Sequence, residues 1–525
     1  GVSVFGFGGS NAHLVLQAPT QTLEAEFSSA RVREPLAIIG MDAHFGCADN
    51  LTSVKQLFNQ NDNTFTELPK QRWRGIDTNA QVMNALALNK APKGGYVESF
   101  DIDFLRFKVP PNEQDCLIPQ QLMMMKVADN AAKDAGLKEG SNVAVLVAMG
   151  IELELHQYRG RVNLSTQIEE SLVQQGIERT SEQRETLTNI AKDSVAFAAK
   201  LNQYTSFIGN IMASRISALW DFSGPAITLS AEENSVYRCV ELAENLFQTS
   251  DIDAVIIAAV DLAGSVENIT LRQHYGKVNL DASSTSSVLD ENTWRVGEGA
   301  AAFVVKPQSK VEVGQAYATI NGISFANGDD SNAITKAANN ALAIASINAE
   351  DITEVEAHAS GFSHENVAEK QALPALYSGK PISSVKRSVG HLFNASGAAS
   401  IIKAALLLDA KSSAKPSYFA INGLGKDESC AHLILSTSQQ AHQTAVAPIV
   451  KKRPQLIKTI TLGGNSITDL IIQKGQVAEL TDIKKAFINK KLAAVSHPVT
   501  LKNIQPKAVA QHNVPLSNTT AVIGA

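Results

Sequence analysis

The amino-acid sequence predicts a layered α/β fold. Apolar runs of strand length recur along the chain, helical segments stand between most of them, and the second half repeats the element order of the first. The opening GVSVF, GFGGSN and AHLVLQ, residues 1–17, reads as a strand, a glycine turn and a second strand, the end of a preceding unit. APTQTLEAEFSSARVRE at 18–34 is polar and acidic without an apolar period, as a surface linker would be. PLAIIGM at 35–41 then opens a new domain as a buried strand, and DCLIPQQLMMMKVADNAAKDAG at 115–136 carries the 3.6-residue period of an amphipathic helix. NVAVLVAMG at 142–150, AITLS at 226–230, AVIIAAVDL at 254–262 and GAAAFVVK at 299–306 supply further buried strands. The second half offers ATINGISFA at 318–326, ITEVEAHASG at 352–361, PISSVKRSVG at 381–390 and KTITLGGNSITDLIIQ at 458–473. Two successive α/β halves imply internal duplication, argued from element order because no residue-level repeat accompanies it. The domain runs over 35–474, and 475–525, rich in Lys, Gln, Pro and Val, reads as a linker toward a further domain.

Composition narrows the function classes. A chain of 525 residues with 44% hydrophobic content can bury a large core, and a net charge of -6 with interspersed signs gives no basic stripe for nucleic acid. Cys47, Cys116, Cys239 and Cys430 are widely spaced with no CxxC pair, so neither a metal site nor a disulfide framework is expected, and a reducing cytoplasm fits. No apolar run reaches the roughly 18 residues of a membrane span, and the opening residues carry neither a signal-peptide pattern nor an initiator Met.

From residue 35 onward the chain resembles the ketosynthase family of polyketide and fatty acid synthases. The resemblance is carried, in matching order, by AIIGMDAHFGCADN, TELPKQRW, the PQQ helix, GNIMASRISALWDFSGPAITLS and WRVGEGAAAFVVK. It implies a thiolase-like, five-layered αβαβα fold. The family's decarboxylative condensation needs a thiolate to hold the acyl chain and two imidazoles to stabilise an enolate. The family motif EAHGTG stands here as EAHASG, which implies that His358 is the first imidazole. KxxxGH stands as KRSVGH, implying Lys386 and His391. A lone histidine in an apolar strand is ordinarily a satisfied core residue, so the motif fixes position rather than activity.

The nucleophile departs from the family. Where GPxxTVDTACSSS is expected the chain has GPAITLSAEENSV, which sets Glu233 at the cysteine position; a shift of one place gives Glu232 or Asn234. Cys239, six residues on, is nearly two helical turns away and should face packing. A carboxylate attacks thioesters poorly and would give a labile anhydride, so acyl loading should fail. Glu233 reads equally as an acid favoured near a helix N-terminus or as a functional group. If His358 and His391 converge on it, an internal ion pair would fill the malonyl pocket.

The family holds two cysteine-less classes. Chain-length factors pair with an active ketosynthase and shape its acyl tunnel; loading-module decarboxylases use a neutral amide to polarise the thioester. Ionised Glu233 suits the second class poorly, although burial that raises its pKa would restore a donor. The opening GVSVFGFGGSNAHLVL resembles the last strand pair of an intact ketosynthase, with Phe5 and Phe7 in its gating loop, and ITLGGNSITDLII at 460–472 is the decayed equivalent. This tandem is the arrangement of bacterial polyunsaturated fatty acid synthases, in the subunit that continues into dehydratase domains. The resemblance therefore implies a non-catalytic partner of an upstream ketosynthase in a pseudo-twofold dimer, with decarboxylation or a purely structural dimerisation platform as alternatives. The resemblance also implies no directly bound cofactor, with the phosphopantetheine of acyl carrier protein as the expected substrate carrier. Tyr204 and Phe207, in QYTSFIGNIM, are candidates for the tunnel or the interface, against the simpler reading of core aromatics.

Overall fold

The computed structural model describes residues 1–5, 11–16, 33–107 except 71, 118–195 except 152 and 154, 198, 206–438 except 313 and 411–415, 457–462, 476–477 and 502–503. Both expected linkers, 18–34 and 475–525, lie almost wholly outside the described residues, as do Phe7, Cys116, Tyr204 and most of the segment 460–472.

Ten strands carry the fold. The first half supplies β1 (Leu36–Phe45), β2 (Val143–Ala148), β3 (Ala226–Leu229), β4 (Ala254–Leu262) and β5 (Val296–Pro307). The second supplies β6 (Ala318–Asn327), β7 (Ile352–Glu356), β8 (Ile382–Ser383), β9 (Tyr418–Gly425) and β10 (Ser429–Thr437). They line up in the order β8-β7-β9-β10-β6-β1-β5-β4-β2-β3, and the short strand Gly94–Gly95 adds to β5 off that path. In each half the spatial order is third, second, fourth, fifth, first. The second strand pairs in parallel with the third and the fourth, and the fifth runs antiparallel to the fourth and the first. The halves meet where Ala318–Ile320 pairs antiparallel with Leu36–Ile38. The expected duplication is thus present in topology, without a residue-level repeat to accompany it.

The principal helices used below are α1 (Pro119–Asp134), α2 (Gly209–Trp220), α3 (Ser235–Thr249), α4 (Ser331–Ala345), α5 (Ser363–Leu376) and α6 (Ser396–Asp409). Strand alternation explains the layers. Along β4, Val255, Ile257 and Ala259 enter a central core with α3 and α6, while Ala254, Ile256, Ala258 and Val260 enter an outer core with α1 and α2. Along β9 and β10, Phe419, Ile421, Leu433 and Leu435 face the same central core, whereas Ala420, Cys430 and Ile434 face α4 and α5. Helices, half-sheet, paired central helices, half-sheet, helices: this is the five-layered αβαβα fold. Burial on both faces is why these strands read as nearly continuous apolar runs.

Two differences from the sequence reading stand out. The hairpin β9–β10 was not expected, because Asn422, Gly423, His432 and Ser436 break its apolar pattern; all are buried. The strand Ile457–Thr461 does not join the large sheet: it pairs antiparallel with Ser99–Asp103 in a two-stranded sheet of its own. The opening hairpin is formed, Val2–Phe5 against Asn11–Leu14, and its described side chains are exposed, Phe5 among them.

Candidate functional site

The site gathers where β3, β7 and the β9–β10 turn end around the N-terminus of α3. After β3 the chain turns sharply: Glu232 takes φ +47, in the left-handed region costly to side-chain-bearing residues, and its side chain is exposed. Asn234 is buried and donates to the backbone and hydroxyl oxygens of Ser429, both at 2.8 Å, which ties this elbow to β10. Of the three adjacent candidates, Glu233 is the acid held inside. Its Oε2 accepts from the Lys426 backbone N–H at 3.1 Å across the pocket, and it precedes the N-cap of α3, Asn234. Burial, reinforced by the neighbouring Glu365 carboxylate, raises its pKa to about 7, against the pull of Lys426. Cys239 packs in the central core, its thiol raised to about 12 by burial, and is no substitute nucleophile.

His358 leaves β7 in a loop clamped by Glu369, whose two oxygens accept from the His358 and Ala359 N–H groups at 2.8 and 2.6 Å. Ala359 is held at φ +41, where the family motif carries glycine. Lys386, also buried, donates to the His358 carbonyl at 2.5 Å and lies 3.4 Å from its Nδ1. His391 accepts at Nδ1 from the Phe393 N–H at 3.1 Å and stacks on the Phe393 ring at 4.0 Å. With each Nδ1 facing a donor, the neutral rings carry their proton on Nε2, and neither Nε2 has a hydrogen-bond partner among the described residues. The rings meet edge to face at 5.6 Å. Burial first, then Lys386, holds both imidazoles well below their ordinary pKa, so they are uncharged at neutral pH.

The expected ion pair between Glu233 and the histidines is not formed among the described residues, because the imidazoles are neutral and the Glu233 carboxylate turns to Lys426. Another acid stands beside His358 instead: Glu365 Oε2 lies 3.7 Å from His358 Nε2, and its Oε1 is paired with the Lys426 ammonium. Lys426 also sits 4.2 Å over the Phe362 ring and 5.3 Å from that of Tyr275. Neither Glu365 nor Lys426 was anticipated from sequence. The only available signal was the cluster of acids following EAHASG; Lys426 lies in a hairpin the apolar pattern did not reveal.

A second polar chain joins the elbow to His391. Ser235 Oγ donates to Asn394 Oδ1 at 3.2 Å, Asn394 Nδ2 donates to Asp261 at 3.3 Å, and Asp261 accepts Arg272 bidentately at 3.0 Å. Arg272 in turn covers the Phe393 ring at 3.5 Å. Of the tunnel candidates, Phe207 is half-buried and meets Tyr158 edge to face at 5.8 Å. Among the described residues no group of His, Cys, Asp and Glu could hold a metal ion, and no helix is long and apolar enough to cross a membrane.

Gly361 shows how tightly the histidine loop is set. At φ +85, an added Cβ would come within 2.3 Å of the Thr293 carbonyl oxygen. Gly361→Ala is expected to cost about 3 kcal/mol or more, because left-handed strain adds to a backbone overlap that no rotamer relieves; a fall in the urea midpoint at unchanged m-value checks it.

Chemically, the arrangement keeps two imidazole N–H donors and a buried lysine but offers no thiol or hydroxyl at Glu232, Glu233 or Asn234, the positions open to the nucleophile. The β-ketoacyl synthase N-terminal domain family matches residues 33–311, and the β-ketoacyl synthase C-terminal domain family matches residues 316–416. The chain is 30% identical over 502 residues to a polyunsaturated fatty acid synthase subunit of Thraustochytrium sp., covering 84% of this chain and 24% of that one. A solved structure described as the PfaC keto synthase-chain length factor is 64% identical with a TM-score of 0.84, covering 100% of this chain and 53% of that one. A ketosynthase of the bacillaene synthase from Bacillus subtilis, 18% identical with a TM-score of 0.58 over 77% of this chain and 72% of its own, shares the fold. The chain thus spans about a quarter of the Thraustochytrium relative and about half of the PfaC chain.

Proposed function

Since the chain belongs to the β-ketoacyl synthase family, we propose that it acts as a chain-length factor in polyunsaturated fatty acid synthesis, a non-catalytic partner that dimerises with an active ketosynthase and shapes its acyl tunnel. The observation that carries this reading is the buried Glu233 at the nucleophile elbow, where neither it nor its neighbours Glu232 and Asn234 can form a thioester. The names of the PfaC and Thraustochytrium relatives support the pathway. In this reading the growing chain arrives on the phosphopantetheine of acyl carrier protein, dehydratase domains act downstream, and the assembly works in the cytoplasm. The exposed hairpin with Phe5, together with Phe7, belongs to the gating loop of the partner ketosynthase, and Tyr204 and Phe207 belong to the tunnel or interface.

The test is Glu233→Ala in the intact synthase, with product chain length and yield as readout. Altered length or yield supports the tunnel-shaping role; an unchanged profile favours a platform that only dimerises. One observation favours a second reading. With its pKa raised to about 7, Glu233 is partly protonated at neutral pH and could donate to a thioester carbonyl in malonyl decarboxylation. Incubating the chain alone with malonyl carrier protein separates the two: acetyl carrier protein as product selects decarboxylation, and unchanged malonyl carrier protein selects the non-catalytic partner.

A further inference from the structure

Among the described residues, His358 Nε2, His391 Nε2 and Glu365 Oε2 are buried polar atoms of this site without a hydrogen-bond partner, as is Asn234 Oδ1 at the elbow. The two imidazole atoms are N–H donors of the kind a ketosynthase aims at a substrate oxygen, and Glu365 Oε2 is an oxygen that the protein itself supplies beside one of them. Glu365 is 2% exposed, so its carboxylate was placed here at a desolvation cost that its ion pair with Lys426 offsets. Lys426 is doubly committed. Its backbone N–H binds Glu233, and its ammonium binds Glu365 over the Phe362 ring, while its side chain remains 15% exposed. His364 Nε2, 3.8 Å from Glu365 Oε1, adds a second contact on the outer side.

We propose that Glu365 and Lys426 form a built-in plug: the Glu365 carboxylate occupies, beside His358 Nε2, the place of a substrate carbonyl or carboxylate oxygen, and Lys426 holds it there. The pocket is thereby closed to a malonyl thioester. An incoming malonyl carboxylate would meet Glu233 and Glu365, and the nearby surface ammonium that could receive it is already spent on Glu365. This deepens the non-catalytic reading and rests on it, but its test reads access rather than turnover, so either can fail alone.

Diethyl pyrocarbonate acylates accessible neutral imidazoles, and peptide mass spectrometry assigns each site. In the unmodified chain His358 and His391 should be as protected as His432, which is buried and bonded to Tyr377, while the exposed His364 reacts readily. In the Glu365→Ala/Lys426→Ala chain, His358 should react about tenfold faster or more, because the space above its Nε2 now admits reagent. An unchanged His358 rate with His432 still protected would overturn the plug. Should the double variant also unmask His432, Lys426→Met alone, which keeps most of the side-chain volume on the β9–β10 turn and removes only the ammonium that holds Glu365, decides the matter by the same comparison. Failure here leaves the product-length test of Glu233→Ala untouched.

Discussion

Replacing Glu233 with glutamine is expected to stabilise the chain by about 3 kcal/mol at pH 8.5, and by less than about 1 kcal/mol at pH 5. The folded-state pKa of about 7 lies above the ordinary 4.5. Between those values the folded chain binds a proton that the unfolded chain has released, so the contribution of Glu233 to stability is intact below 4.5 and is lost as pH rises toward 7. Above 7 the folded chain carries a desolvated charge, and glutamine removes it while its amide oxygen can still accept the Lys426 N–H. Urea unfolding of both chains across this range measures the difference. A gap that does not grow with pH would mean that Glu233 is ionised throughout, and the decarboxylase reading would lose its proton donor.

Lys386→Met should have the opposite sign and a comparable size, a loss of about 3–5 kcal/mol at neutral pH. Burial lowers the Lys386 pKa, and Glu369, Glu356, Glu233 and Glu365 act against that burial, so the ammonium is the shared counter-charge of a carboxylate cluster. Methionine keeps much of the volume but removes the charge those carboxylates share, leaving Glu365 to Lys426 and Glu356 to Lys403, and leaves the His358 carbonyl without its 2.5 Å donor. Equilibrium unfolding supplies the magnitude. A stability within about 1 kcal/mol of the parent would show that Lys403, 2.7 Å from Glu356, and the amide donors around Glu369 carry the compensation instead.

Much of the layered fold was legible because its strands are buried on both faces. AVIIAAVDL and NVAVLVAMG need no alternation to be recognised, and β4 matches the first of these runs residue for residue. The hairpin β9–β10 was not legible for the opposite reason. Asn422 donates to Glu369 at 2.7 Å, and His432 binds Asn422 and Tyr377, so polar residues serving the site interrupt the apolar pattern that would have marked the strands. The turn between those strands brings Lys426 to the pocket, so losing the hairpin meant losing half of the plug.

By itself, the sequence determined the α/β class, the motif positions of His358, Lys386 and His391, and the loss of the nucleophile, because residue identity and local order suffice for each. Tertiary structure decided which charges meet. Glu233 and Lys426 are separated by 193 residues, and Glu365 is seven residues beyond His358, so their contacts depend on how β7 and the β9–β10 turn converge on the elbow before α3. Coulombic and desolvation energies follow distance and burial, and the folded packing alone sets both.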